Sequence, residues 1–154
     1  MVSFRFQVSG LTISTRSEKL ETYFMSERKF IEDREKLEKL APVATAPIKR
    51  HVFVCNGKSC AAVGSAEVKA AFEKQLEEKN LRYGKESKGR NPRGEIILTD
   101  CGSVGFCSIG TAVLVYPEGV WYAQVREEDV TEIIEEHLEK GKTVERLALK
   151  NMAE

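Results

Sequence analysis

The sequence predicts an α/β fold, a sheet packed by helices, from about residue 49 onward, and three observations carry that expectation. Apolar runs of strand character, His51-Val52-Phe53-Val54 and Glu95-Ile96-Ile97-Leu98-Thr99, flank a segment of helical period. Two further apolar runs, Thr111 to Tyr116 and Val120 to Val125, are joined by Pro117-Glu118-Gly119, a proline-led turn in which glycine is free to take a positive φ. Val130, Ile133, Ile134, His137 and Leu138 then recur at i, i+3, i+4, i+7 and i+8, the stripe of an amphipathic helix closed by Gly141. Strand, helix, strand, hairpin, helix is the resulting order.

The 154 residues suit one domain with an extension. Residues 1 to 48 read as that extension. Val2, Phe4, Phe6 and Val8 alternate with polar residues, Ser9-Gly10 turns the chain, and Leu11-Thr12-Ile13 completes a small hairpin. Thr15 and Glu18 form a capping box, and Leu20, Tyr23, Phe24, Phe30, Ile31 and Leu37 share one stripe of the helix that follows. That helix ends near Pro42, where an uncharged stretch with two prolines, residues 41 to 48, reads as a semi-extended linker. Two readings of the helix stay open: packing on the main domain, or an arm for a partner or a second copy.

Within the main domain, residues 49 to 154, the helix after the first strand carries Val68, Ala71, Phe72 and Leu76, with Ser65 expected as its N-cap. Basic and acidic side chains balance at 24 each, so no net field draws the chain to nucleic acid or an anionic membrane. No apolar run is long enough for a membrane span and no secretory leader opens the chain, so a cytoplasmic location is expected.

All four cysteines lie in two glycine-containing loops that follow strands: Cys55-Asn56-Gly57-Lys58-Ser59-Cys60 and Cys101-Gly102-Ser103-Val104-Gly105-Phe106-Cys107. In a reducing compartment such clusters are more often metal ligands or redox thiols than disulfides. Thiolates are soft ligands suited to iron–sulfur clusters, zinc and copper(I). Zinc knuckles usually hold Cys-x-x-Cys, whereas four residues separate the first pair here and five the second, and wider loops suit a two-iron rhomb. Gly57, Gly64, Gly102, Gly105 and Gly110 let backbone N–H groups approach an anionic guest, and the helix starting near Ser65 aims its positive end toward the Cys60 loop.

These residues resemble the thioredoxin-like 2Fe-2S ferredoxins, relatives of the small 2Fe-2S subunit of respiratory complex I and of NAD-linked hydrogenases. The likeness rests on Val54-Cys55-Asn56-Gly57-Lys58-Ser59-Cys60, on Cys107-Ser108-Ile109-Gly110 followed by the Val113 to Tyr122 hairpin, and on Glu136-His137-Leu138-Glu139-Lys140-Gly141. It covers roughly residues 50 to 149 and none of residues 1 to 48. The resemblance implies a thioredoxin-like mixed sheet with flanking helices, a 2Fe-2S cluster, one-electron transfer without substrate turnover, and often a homodimer. The family's second pair is usually separated by three residues, which would set Ser103 as third ligand. An all-thiolate site in this chain needs Cys101, giving Cys55, Cys60, Cys101 and Cys107 as the expected ligands.

Other residues have plainer readings. His51 shares a strand face with Cys55, yet a hydrogen-bonded histidine is the commoner case, and His137 is expected to be partly buried with one hydrogen bond. Trp121 and Tyr122 are expected to pack the sheet unless they serve an electron path. The 82 to 94 loop is basic through Arg82, Lys85, Lys88, Arg90 and Arg93, and the last helix is acidic; each is either a docking patch or ordinary solvated surface. No phosphate-binding glycine fingerprint, Ser/His/Asp arrangement or apolar carboxylate pair is present, so an electron carrier rather than an enzyme is expected, with a flavoprotein, dehydrogenase or hydrogenase as redox partner. Rival readings are an assembly subunit of a larger redox complex, a zinc-binding or metal-free thioredoxin-like interaction module, and, more weakly, a thiol oxidoreductase, whose usual Cys-x-x-Cys at a helix start is missing.

Overall fold

The computed structural model describes residues 33–152, the Cys107 side chain excepted. The expected N-terminal hairpin and most of the helix after it therefore lie outside the described residues. Within the span expected for that helix, α1, Arg34–Leu40, has a start of its own, capped where Asp33 Oδ1 accepts the Lys36 N–H at 2.9 Å. Met1–Leu40 and Ala41–Glu154 are separate compact units, and the second holds the sheet. It opens on a single 3₁₀ turn, Pro42–Thr45, with proline in the first turn, where a missing N–H costs nothing.

Five strands follow: β1 (Arg50–Cys55), β2 (Ile96–Cys101), β3 (Val113–Tyr116), β4 (Val120–Tyr122) and β5 (Ala148–Asn151). They form one mixed sheet in the order β2-β1-β3-β4-β5, with β1 and β2 parallel and the other pairs antiparallel. Between β1 and β2 the chain makes α2 (Lys58–Ala61) and then α3 (Ser65–Glu78). The last helix, α4, follows a 3₁₀ turn over Glu127–Asp129; it is α-helical over Val130–Glu132 and of the wider π type over Ile133–Glu139.

Strand periodicity decides which face is covered. Val52, Val54, Val113, Val115, Val120 and Tyr122 are buried against Val68, Phe72 and Leu76 of α3 and Ile133, Ile134 and Leu138 of α4. Their neighbours His51, Phe53, Leu114 and Trp121 alternate to the other face and stay half-buried. The apolar stripes read from the sequence thus meet in one core, at about 1.5–3 kcal/mol for each large side chain fully buried.

Three local expectations are corrected. Ser65 is the first residue of α3, not its cap: Gly64 takes the capping position at φ 98°, a left-handed step that glycine allows, and the Ser65 hydroxyl bonds Asn56 Oδ1 at 3.1 Å. Arg82 is not part of a solvated basic loop. It is 6% exposed, and its guanidinium donates to Glu73 and Glu77 of α3. His137 is fully rather than partly buried. The acidic face of α4 is largely neutralised, since Lys79 meets Glu135 and Glu139, Lys140 meets Glu136, and Arg146 meets Asp129 and Glu132.

A buried polar chain joins strand β4 to helix α4 and runs on to Arg50, where β1 begins. The Val144 N–H donates to Tyr122 Oη at 3.1 Å, and Tyr122 Oη lies 2.8 Å from His137 Nδ1. The other ring nitrogen of His137, Nε2, lies 3.8 Å from Glu118 Oε2. Arg50 holds the other oxygen of Glu118 at 2.6 Å. Burial pushes the Tyr122 phenol up to about 12. Burial also lowers the His137 pKa, with Glu118 opposing and Arg50 assisting. The unfolded chain then binds the extra proton first, so this contribution to stability is complete above the ordinary histidine value of 6.5 and is lost as pH falls below it. Urea unfolding at pH 7.5 and pH 5 is expected to show this decline, and His137→Asn to flatten it; an unchanged slope in the variant would assign the decline to other groups.

Candidate functional site

Parallel strands point their C-terminal ends the same way, and this places both cysteine loops at one end of the sheet. Cys55 and Cys101 are register partners, side by side on strands about 4.8 Å apart. The Asn56 N–H donates to the Cys101 carbonyl at 2.7 Å and the Cys55 N–H to the Ala112 carbonyl at 2.9 Å, fixing both strand ends. Cys55 is fully buried and Cys101 half-buried. Each sulfur reaches a carbonyl across the ladder, Cys55 Sγ to Gly102 at 3.7 Å and Cys101 Sγ to Val54 at 3.6 Å.

The rest of the first loop folds into α2, capped by Gly57, and this turn carries Cys60 inward until it is fully buried. Its thiol donates to the Gly110 carbonyl at 2.8 Å. Against α2 packs the 3₁₀ turn Cys107–Ile109, so the backbone carrying Cys107 lies beside the one carrying Cys60. Cys55 and Cys60 share a small apolar cluster with Ala112, lined by Val104 and Phe106. Ser103 is exposed, whereas Cys101 stands in the ladder. Among the described residues, no group of three or more His, Cys, Asp or Glu side chains is assembled as an ion site.

Neither histidine joins this end. His51 lies four residues before Cys55, about 13 Å back along the strand. Its Nε2 sits 2.8 Å from Thr99 Oγ1, its ring stacks on Phe53, and burial lowers its pKa. His137 belongs to the Tyr122 chain described above. Trp121 does approach: its ring stacks on Phe106 with centroids 4.4 Å apart, one residue from Cys107. Sequence reasoning missed Ala112 and the role of Gly110, which turns its carbonyl rather than its N–H to Cys60. The small residues directly after the last cysteine were the available signal, because only small side chains fit between a thiol cluster and a strand start.

No family model matches the chain. It is 38% identical over 109 residues to a 2Fe-2S ferredoxin of Clostridium pasteurianum, with 66% of this chain and 96% of that protein covered. A 2Fe-2S ferredoxin of Aquifex aeolicus is 38% identical over 108 residues, with 65% of this chain and 88% of the relative covered. The crystal structure of a thioredoxin-like [2Fe-2S] ferredoxin from Aquifex aeolicus superposes with a TM-score of 0.55 at 36% identity, covering 68% of this chain and 99% of that one. Among the described residues, no helix is long and apolar enough to cross a membrane. The mixed sheet, the paired cysteine loops at its end and the identity across nearly all of two such proteins lead to one conclusion: the chain belongs to the thioredoxin-like 2Fe-2S ferredoxin family.

Proposed function

We propose that this chain is a one-electron carrier holding a 2Fe-2S cluster through Cys55, Cys60, Cys101 and Cys107, and that it exchanges electrons with a partner oxidoreductase of flavoprotein, dehydrogenase or hydrogenase type. The observation that carries the reading is the registered pair Cys55 and Cys101, beside the packed pair of segments bearing Cys60 and Cys107. The donor chemistry fits, since the cysteine loops contain no histidine or carboxylate and the pocket wall is apolar. When bound, the cluster supplies a reversible one-electron couple. The chain's own residues hold it and keep water out: the thiolates bind, Ala112, Val104 and Phe106 line the pocket, and the Cys55–Ala112 and Asn56–Cys101 backbone bonds keep the strand ends from spreading.

Residues 49–154 form the ferredoxin domain in this reading and residues 1–48 an extension to it. A homodimer working in the cytoplasm completes the proposal.

Purification without oxygen, with iron and acid-labile sulfide analysis, tests it. About two irons and two sulfides per chain and a red-brown colour are expected. Trp121, the chain's one tryptophan, is expected to fluoresce weakly in the loaded protein and to brighten severalfold when a chelator strips the iron, because its ring lies against Phe106 beside the site. A colourless protein holding about one zinc, or no metal after iron–sulfur reconstitution, would return the chain to a thioredoxin-like interaction module.

A further inference from the structure

We propose that the groove beside the Cys60 loop, lined by Val63, Gly110, Thr111, Gln124, Val125 and Arg126, is the port for electron exchange and receives an acidic side chain of the partner protein. The inference rests on the cluster reading above and adds the place and charge of docking.

The groove measures about 340 Å³ and shares Gly110 with the site, the residue whose carbonyl accepts the Cys60 thiol. An occupant is thus one residue from a ligand. Arg126 supplies the charge. Its side chain is 75% exposed, and its ion pair with Glu128, at 3.6 Å between two exposed groups, is of the kind exchanged for a new carboxylate at little cost. Its backbone is anchored, since the Arg126 N–H donates to Asp129 Oδ2 at 2.9 Å.

The wall is built under constraint. Gln124 takes a φ of 53°, unusual for a side chain of its kind, and a Cβ placed on Gly110 would lie 3.3 Å from Gln124 Cα. Such conformations persist where the surroundings enforce them, and they concentrate at functional sites. Thr111, 1% exposed, lines the same groove and has a hydroxyl without a hydrogen-bond partner among the described residues, a costly state that an entering carboxylate would relieve. Val63, 59% exposed, offers apolar cover for the stem of an acidic side chain.

Arg126 is followed by the exposed Glu127 and Glu128, while the two cysteine loops carry little charge. Residues 56–64 and 102–110 contain no acidic residue and one cation, Lys58. Other exposed cations, Lys85, Lys88 and Arg93, lie on the loop leading into the start of β2, whereas Cys101 is at its end, about 17 Å along the strand. They provide a control of matched charge at the wrong pole.

The test uses the loaded full-length protein, reduced and then mixed rapidly with hexacyanoferrate(III), a trianion that takes one electron to become hexacyanoferrate(II), or with hexaammineruthenium(III), a trication that takes one electron to become ruthenium(II). Arg126→Glu is expected to slow the anionic oxidant roughly fivefold at about 0.1 M ionic strength and to speed the cationic one, with both effects gone near 1 M salt. Lys88→Glu, the same change in net charge, is expected to leave both rates unchanged. If Arg126→Glu loads poorly, Arg126→Gln carries the comparison with about half the effect. Equal effects at Arg126 and Lys88, or none at Arg126, would overturn the port. A wild-type protein that holds no cluster overturns the underlying reading instead, so the two failures are told apart before any rate is measured.

Discussion

Cys60→Ser is expected to leave anaerobic purification with less than about a tenth of the wild-type iron and without visible absorption. Serine keeps the shape of the fully buried side chain and its bond to the Gly110 carbonyl, yet offers a hard hydroxyl where a soft thiolate is required. Circular dichroism of the variant is expected to match the wild type, so the loss reports ligation and not folding. The second cysteine pair gives the sharper contrast. Cys101→Ser is expected to lose the cluster as fully, because Cys101 is the ladder partner of Cys55, whereas Ser103→Ala is expected to keep it, because Ser103 is exposed. Retention in Cys101→Ser together with loss in Ser103→Ala would transfer the third ligand to Ser103. Iron and sulfide content of the two variants, measured side by side, decides between them.

The second large effect is on stability. Gly94→Ala is expected to destabilise the domain by about 3 kcal/mol, lowering Tm by roughly 10 °C. An added Cβ would lie 2.6 Å from both the Arg82 carbonyl carbon and the Tyr83 nitrogen, which are backbone atoms. They have nowhere to retreat. The Arg82 N–H donates to the Leu76 carbonyl, the Tyr83 N–H to the Ile96 carbonyl, the Arg82 carbonyl accepts the Asn91 N–H, and the Arg82 guanidinium is held by Glu73. Gly89→Ala, in the same loop with open space around its Cβ position, is the comparison: its φ of 70° imposes strain but no clash, and about 1 kcal/mol is expected. Thermal unfolding of both variants checks the order.

The elements legible in the sequence were those in which period and burial agree. β1, α3, the β3–β4 hairpin and α4 each carry an apolar pattern that one packing satisfies, and each lies where the pattern sets it, except that β4 ends at Tyr122 and not Val125, since Gln124 takes a φ of 53°. β5 was missed because Ala148-Leu149-Lys150-Asn151 is a short edge strand, exposed at its two central residues, with little apolar signal. Arg82 looked like loop because composition shows charge and not partners; its acceptors lie five and nine residues earlier, on α3. The cysteines declared themselves by type and spacing, but which segment stands beside which depended on the parallel register of β1 and β2, a long-range property absent from either loop. Arg126 and Thr111 were illegible for the same reason.

The register that sets Cys55 beside Cys101 also governs the order in which the chain can assemble. The two are roughly 46 residues apart, while β3 and β4 are joined by a short turn. Closing the longer loop costs about 2 kcal/mol more in chain entropy than closing the hairpin, so local pairing is favoured early and the parallel pairing late. The thiols consequently come together in the closing stage of folding. A chain with β1 and α2 formed but the Cys107 turn unmade presents Cys60 without the wall that later encloses it, so the interval before β2 docks is when its thiol is most open to solvent and to oxidants.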